Sequence, residues 1–356
     1  MKKPQLSGLF RSNKLPMKYH FSMVLVTLML VTSLQVFAQQ GFNVTFYNVE
    51  NLFDTTDDPE VRDEEFTPEG DKKWTEERYT IKLDKLSRVL SASVEDGLPE
   101  VIGLCEVENR GVVEDLMKTG KLKKGKYSIV HQDSPDGRGI DVALAYRKKA
   151  LKVIDFKAHT VDLPGENARP TRDILHVRTI VAKKDTVHFF INHWPSRYGG
   201  EEKSRPKRIQ AAEVLREVVD ELLEKQPRAK LVIMGDFNDY PDNVSIQETL
   251  DAQEAGKTSK PTSLVNLAAS IKGEQGSYNY RGNWGMLDQI IVSQSLVSEG
   301  SSGMRCTSGS LRIVKEEWML YTDPKSGAQK PNRTYGGNNY YGGFSDHLPV
   351  VVDFKL

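Results

Sequence analysis

Ten short apolar runs set the terms for this chain. They span residues 42–48, 100–106, 127–131, 141–147, 151–158, 174–182, 186–193, 230–238, 287–293 and 349–354, and none exceeds nine residues. Runs this short, rich in β-branched and aromatic residues, read as strands rather than helices. Several are continuously apolar, which suits strands covered on both faces. Two longer segments carry a helical period instead. Residues 77–96 place Tyr79, Leu83, Leu86 and Leu90 on one face, and residues 204–226 run from Ser204, a suitable N-cap, to Pro227 just past the end. Strands far outnumber helices, so a simple βαβ alternation fails. The pattern predicts an α/β chain with two packed sheets, mostly antiparallel or mixed, and helices outside them. No repeat and no linker divides residues 39–356, which read as a single domain.

The first 38 residues stand apart. A basic start, an apolar run from Phe21 to Phe37 and small residues near Ala38 read as a signal peptide cut after Ala38. Its removal takes five basic side chains (Lys2, Lys3, Arg11, Lys14, Lys18) and no acidic one, leaving 44 basic residues against 49 acidic and a net charge of −5. The expected product is exported, periplasmic or extracellular, monomeric, and without stable membrane insertion. A net acidic chain is not one that coats nucleic acid through bulk charge. Cys105 and Cys306 form no disulfide framework and no metal-ligand spacing. They could pair in an oxidising compartment, but Cys105 lies within an apolar strand and reads as a small core residue.

Function is suggested by where polar residues interrupt the strands. Asn48, Glu106, His193, Asp236 and Asn238 sit at or near the C-terminal ends of apolar runs, and Asp288 and the Asp346–His347 pair lead into two others. Strand ends opening on a crevice are where the catalytic groups of α/β proteins collect. An antiparallel neighbour brings the start of one strand to the same edge as the end of the next. Singly, each residue is weak evidence, since Asp-x-Asn is also a common turn and a lone histidine is usually structural. Their shared topological position is the signal.

Read in order, "FYNVENLF", "IGLCEVEN", "GIDVALAYR", "INHWPSR", "IMGDFND", "WGMLDQIIVS" and "FSDHLPVVVDF" resemble the endonuclease/exonuclease/phosphatase superfamily over essentially all of residues 39–356. The resemblance implies a four-layer α/β sandwich. It also implies that Asn48 and Glu106 hold a divalent metal, magnesium with manganese able to replace it, with Asp346 at the same site. Asp236 and Asn238 would position or deprotonate the attacking water. His347, oriented by Asp288, would contact the scissile phosphate and move protons, and His193 would be a second phosphate-facing histidine. The chemistry is coherent: a hard cation with oxygen ligands neutralises charge building on a phosphoester, and a histidine locked by a carboxylate transfers protons near neutrality.

Around this set, Arg197, Arg172 and Arg281 are candidate substrate-phosphate contacts, and Asp141 is a candidate support for His193. The acidic run Asp54–Glu65 keeps no calcium-loop spacing and reads as a solvated loop. The leading expectation is a metal-dependent phosphodiesterase acting on DNA or RNA. The alternative is a phosphatase or phospholipase-type hydrolase of a small or lipid phosphoester, and the chain carries no long apolar hairpin for membrane insertion. A silent binding module on the same fold would be expected to lose metal or histidine positions, and all of them are kept.

Overall fold

Each of the ten apolar runs forms a strand in the computed structural model, which describes Met1 and residues 41–356 apart from 167, 258–259, 272, 274, 299–301 and 307–308. The expected leader at 1–38 and its cleavage point fall outside the described residues. Gly41–Leu356 form one compact unit. Its strands are β1 (Gly41–Leu52), β2 (Val101–Val107), β3 (Tyr127–His131), β4 (Asp141–Arg147), β5 (Leu151–His159), β6 (Ile174–Val181), β7 (Asp185–His193), β8 (Lys230–Asp236), β9 (Ala252–Gln253) and β10 (Leu264–Asn266), followed by Asp288–Ser293, Arg312–Ile313, Val350–Lys355 and several short hairpin strands. The first sheet has the order Arg312–Ile313, Val350–Lys355, β1, β2, β4, β3. The second runs β5, β6, β7, β8, Asp288–Ser293, β10, β9. Both are mixed: β1 lies parallel to β2 and β7 parallel to β8, while most other pairings are antiparallel.

Side-chain alternation turns these sheets into layers. From β1, Phe42, Val44 and Phe46 point between the sheets, where they meet Phe189, Ile191, Val232, Met234 and Ile290 of the second sheet. Tyr47 and Val49 point the other way, with Ile102 and Leu104, onto helices α1 (Glu76–Ala92) and α2 (Arg110–Lys118). On the far side of the second sheet, Phe190, Leu231 and Ile233 pack on Ala211, Leu215 and Val219 of helix α3 (Glu201–Lys225). The result is helix, sheet, sheet, helix. The sheets meet closely at Gly103, where a Cβ would lie 2.5 Å from the Met234 sulfur, so a larger residue would have to displace the Met234 side chain.

Helix α1 starts where the periodicity places it, with the Thr75 side chain accepting from the Arg78 amide. Helix α3 does not. It begins at Glu201, three residues before the expected N-cap, because Gly200 adopts φ 109° and turns the chain early. Ser204 lies inside the first turn and donates its hydroxyl to the Gly200 carbonyl. Helix α2, capped by Asn109, is a short element that the sequence pattern did not announce. Cys105 and Cys306 are both free and buried, Cys105 between the sheets. No helix among the described residues is long and apolar enough to cross a membrane.

The outer face of the second sheet carries a column of imidazoles. His176 stacks on Phe190 at 4.2 Å and lies 5.8 Å from the His159 ring, and its Nε2 is 2.9 Å from His188 Nδ1. Burial, reinforced for His176 by its neighbouring histidines, lowers its pKa to about 3; burial and then the Arg178 charge lower that of His188 to about 4. An unfolded histidine takes up its proton near pH 6.5. Between these values the unfolded chain binds more protons than the folded one, so stability must fall as pH drops from about 6.5 towards 4. The urea midpoint is expected to decline across that window, and a His176→Phe/His188→Leu variant to decline less steeply. An unchanged slope in the variant would contradict the assignment.

Candidate active site

Strand register builds the site. His193, Asp236 and Asp288 are direct partners across β7, β8 and Asp288–Ser293, so three polar side chains line one edge of the second sheet. On the facing edge of the first sheet, β1 and β2 depart from regular pairing beyond Asn48 and at Glu106. Glu50, Asn51 and Glu106 take left-handed backbone conformations, with φ of 51°, 51° and 61°. Such bulges re-aim side chains that a regular strand would send to alternate faces, and the strained conformations are held only because their surroundings over-determine them. Asn48 and Glu106 are thereby turned to the inter-sheet edge. The Asn48 amide donates to Asp236 at 3.1 Å, across from one sheet to the other, and lies 3.3 Å from Glu106.

His347 closes the cluster. Its Nδ1 is 2.7 Å from Asp288 Oδ2, and its Nε2 faces Asp236 at 3.7 Å. The loop carrying it is pinned twice, since Ser345 donates its hydroxyl to the Asn48 carbonyl and accepts from the His347 amide. Tyr278 covers the imidazole at 4.7 Å between ring centres and pairs with His347 through the backbone. His193 is equally buried, with Nε2 facing Glu106 at 3.7 Å and Asp236 at 3.8 Å. Asn238, whose φ is 51°, donates its side-chain amide to the Trp194 carbonyl.

The two histidines are driven in opposite directions. Burial opposes charging His347, but the carboxylates of Asp288 and Asp236 outweigh it and hold the imidazole well above its ordinary pKa. Burial holds His193 well below, reinforced by the charges of Arg172, Arg138 and His347. At neutral pH one is therefore a cation and the other neutral, the kind of split that separates roles within a site. Burial, countered by His347 and aided by the Asp288 charge, raises Asp236 to about 6.

The donor set fits a hard divalent cation. Asn48 offers one amide group to two carboxylates, Glu106 and Asp236, at a point where positive charge is called for, and all three are oxygen-bearing groups of the type magnesium accepts. Asp236, Asp288 and His347 also have ligand atoms within 4.8 Å of one another, but His347 Nδ1 and Asp288 already satisfy each other. Asp346 approaches from the His347 loop and pairs with Arg333 at 2.9 Å. Behind it lies a buried pair that the sequence reading missed. Glu50 accepts from the Thr334 and Tyr335 amides, and Lys82 donates to Thr334 and to the Phe344 carbonyl. Burial raises Glu50 to about 7 and lowers Lys82 to about 8. Lys82 was visible as a charge inside the apolar stripe of α1; Arg333 had no comparable signal.

The candidate rim residues differ in exposure and partners. Arg172 is buried and faces inward, with its guanidinium on the His193 and Trp194 carbonyls and on Asp136. Arg197 is engaged by the Asn238 carbonyl, Glu201, Asp239 and Asn243. Arg208, fully buried, shares Asp239 with it. Of the three candidates Arg281 is the exposed one, set over the Tyr280 ring. Asp141 does not support His193, whose Nδ1 has no hydrogen-bond partner; it is held by His131 and Ser134 instead. Removing Arg172 would leave the buried Asp136 with only the half-exposed Arg138 as a charge partner and would take the guanidinium from the His193 and Trp194 carbonyls, a loss on the order of 3 kcal/mol. Arg172→Ala should lower the urea-unfolding free energy by that scale and Arg281→Ala by almost nothing. Equal, small effects would mean that Arg172 is not the tie described.

Solved structures with the same fold include zebrafish (D. rerio) TDP2 complexed with a single-strand DNA product (13% identity, TM-score 0.52, covering 89% of this chain and 100% of that one). The human Nocturnin catalytic domain matches at 15% identity and TM-score 0.51, covering 88% and 94%. A mannosyl-6-phosphatase from Bacteroides thetaiotaomicron matches at 15% and 0.52, covering 88% and 100%. No curated protein sequence matches the chain. The model of the Endonuclease/Exonuclease/phosphatase family matches residues 43–355. With the sandwich fold and the paired sheet edges, that match settles the family: the chain is a member of the endonuclease/exonuclease/phosphatase family of phosphoester hydrolases.

Proposed function

We propose that the chain is an exported, magnesium-dependent phosphodiesterase with nucleic acid as its first substrate class. The observation that carries this reading is the buried Asp288–His347 pair set against Asp236, beside the Asn48–Glu106 oxygen cluster. Export rests on the apolar run at Phe21–Phe37 and the small residue Ala38 that ends it.

Asn48, Glu106 and Asp346 would hold the cation, which when bound neutralises charge on the phosphoryl oxygens and lowers the pKa of a coordinated water. Asp236, with a carboxyl raised to about 6, accepts a proton from the attacking water, and its Oδ1 is held in place by the Asn238 amide. His347, cationic in this environment, offers Nε2–H to a phosphoryl or leaving oxygen. Asp288 orients the ring and supports its charge by accepting Nδ1–H. His193 stays neutral and gives the phosphate a second hydrogen-bonding imidazole without adding charge.

A second reading, a hydrolase of small phosphoesters, draws on a specific observation. Arg172, Arg197 and Arg208 are all engaged within the protein, so none of the three serves to track a long polyanion, and the exposed basic groups after His193 are Lys203 and Lys207. The two readings separate in one experiment. DNA, RNA, nucleotides and sugar phosphates are each offered with magnesium, then with chelator, to the wild type and to His347→Ala. The nuclease reading expects cleavage of a nucleic acid that chelator abolishes and that His347→Ala slows by about 10²-fold or more. It also expects a shallow salt slope, equivalent to roughly two to four phosphate contacts. Turnover confined to small phosphoesters would transfer the assignment to the second reading, and full activity in chelator would defeat both.

A further inference from the structure

Arg172, Arg197 and Arg208 are tied into the frame of the site, so the positive group that would meet an anionic substrate lies elsewhere. Arg333 reaches the catalytic edge by contacting Glu50 of β1 and Asp346, the residue before His347. Its backbone is strapped to the loop that carries His347, since the Gly343 amide donates to the Arg333 carbonyl at 3.1 Å and the Phe344 amide to the Asn332 carbonyl. Arg333 also lines a cleft of about 140 Å³ with Glu50, Asn51 and Lys72. Asn51 ties that cleft to the catalytic edge, because its backbone amide donates to Glu106 Oε2 at 3.0 Å.

The guanidinium is fixed along one side only. Its Nη2 donates to Asp346 Oδ2 at 2.9 Å, and its Nε lies at the longer distance of 3.4 Å from Glu50 Oε1. The third nitrogen, Nη1, makes no hydrogen bond among the described residues, and the side chain is 41% exposed. Glu50 does not depend on Arg333 for its partners, since its two oxygens already accept from the Thr334 and Tyr335 amides. An arginine held by two carboxylates, with part of its fork open to solvent at a catalytic edge, presents free donors in a fixed direction. Carboxylate and phosphate oxygens are the groups such a fork matches.

We propose that Arg333 is a substrate-binding residue that takes a non-bridging phosphoryl oxygen through Nη1, while Asp346 and Glu50 hold the rest of the guanidinium in place. The inference rests on the phosphoester-hydrolase reading of the catalytic edge. A guanidinium keeps its charge at every working pH, so Arg333 gives the phosphate a permanent positive partner beside the two imidazoles. Asp346 then has a task besides cation binding, which is to aim the arginine one residue away from His347.

Calorimetric titration with inorganic phosphate in the presence of magnesium tests this without turnover. Wild type, Arg333→Gln, Arg333→Lys and Arg281→Gln are compared, and the affinity of each for manganese is measured by equilibrium dialysis. Arg333 is partly exposed and glutamine leaves a donor beside Asp346, so Arg333→Gln should keep the fold, which circular dichroism checks. Arg333→Gln is expected to weaken phosphate binding by about tenfold or more, and Arg333→Lys by less, because lysine keeps the charge but loses the fork. Arg281→Gln should bind phosphate as the wild type does, and manganese affinity should stay level across the set. Phosphate binding unchanged in Arg333→Gln would overturn the proposal, as would an equal loss in Arg281→Gln or no binding by the wild type. Phosphate and manganese affinity falling together in Arg333→Gln would also overturn it, by showing that the arginine only places Asp346. Magnesium-dependent hydrolysis alongside any of these results would leave the hydrolase reading standing and remove only the role of Arg333.

Discussion

The hydrogen bond between His347 and Asp288 depends on nearly every long-range feature of the fold. The two residues are 59 positions apart. Asp288 is placed by pairing with Asp236 in the second sheet, while His347 hangs on a loop tied to Asn48 in the first. The pair therefore forms only when the sheets face each other in one register. The 3.1 Å contact from Asn48 to Asp236 is the direct bond between the two edges. A one-residue slip in either sheet would turn a carboxylate towards the apolar interior, and burying an unpaired carboxylate costs more than the slip could recover.

The same geometry explains the electrostatics. Asp236, Asp288, Glu106 and Asp346 crowd a small volume, and a single imidazolium cannot balance them. The fold answers with His347 held charged, Lys82 and Arg333 set behind Glu50 and Asp346, and the Asn48 amide turned towards Glu106 and Asp236. The arginines that follow β7 serve another end. Arg197 and Arg208 converge on Asp239 and fasten the segment after Asp236 to the start of α3. Arg172 fastens the end of β7 through the carbonyls of His193 and Trp194. These three arginines thus stiffen the frame of the site.

Much of this was legible in the sequence, for a physical reason. Short apolar runs declare strands, and His193, Asp236 and Asp288 are polar residues at strand termini, where only a shared edge makes sense of them. The bulges were not legible. Whether Glu50 and Glu106 adopt left-handed backbone depends on the neighbouring strand, which local pattern does not encode. The direction of an arginine was equally hidden, since the segment around Arg197 reads the same whether its charges face solvent or Asp239. Asp141 went astray for a similar reason: pairing of β3 with β4 delivers it to His131, a local partner, before His193 can compete. Ser204 was a good cap in the wrong place, displaced by the conformational freedom of Gly200.

The central claim is that Asp288 acts through His347, as one unit, on a phosphoester. A double-mutant cycle on hydrolysis of bis(p-nitrophenyl) phosphate with magnesium tests it most directly, using Asp288→Asn, His347→Gln and the combined variant. If the carboxylate works only by orienting and charging the imidazole, the double variant should be no slower than His347→Gln alone, because groups that act as a unit are strongly non-additive. Losses that multiply in the double variant would show two independent contributions and contradict the account.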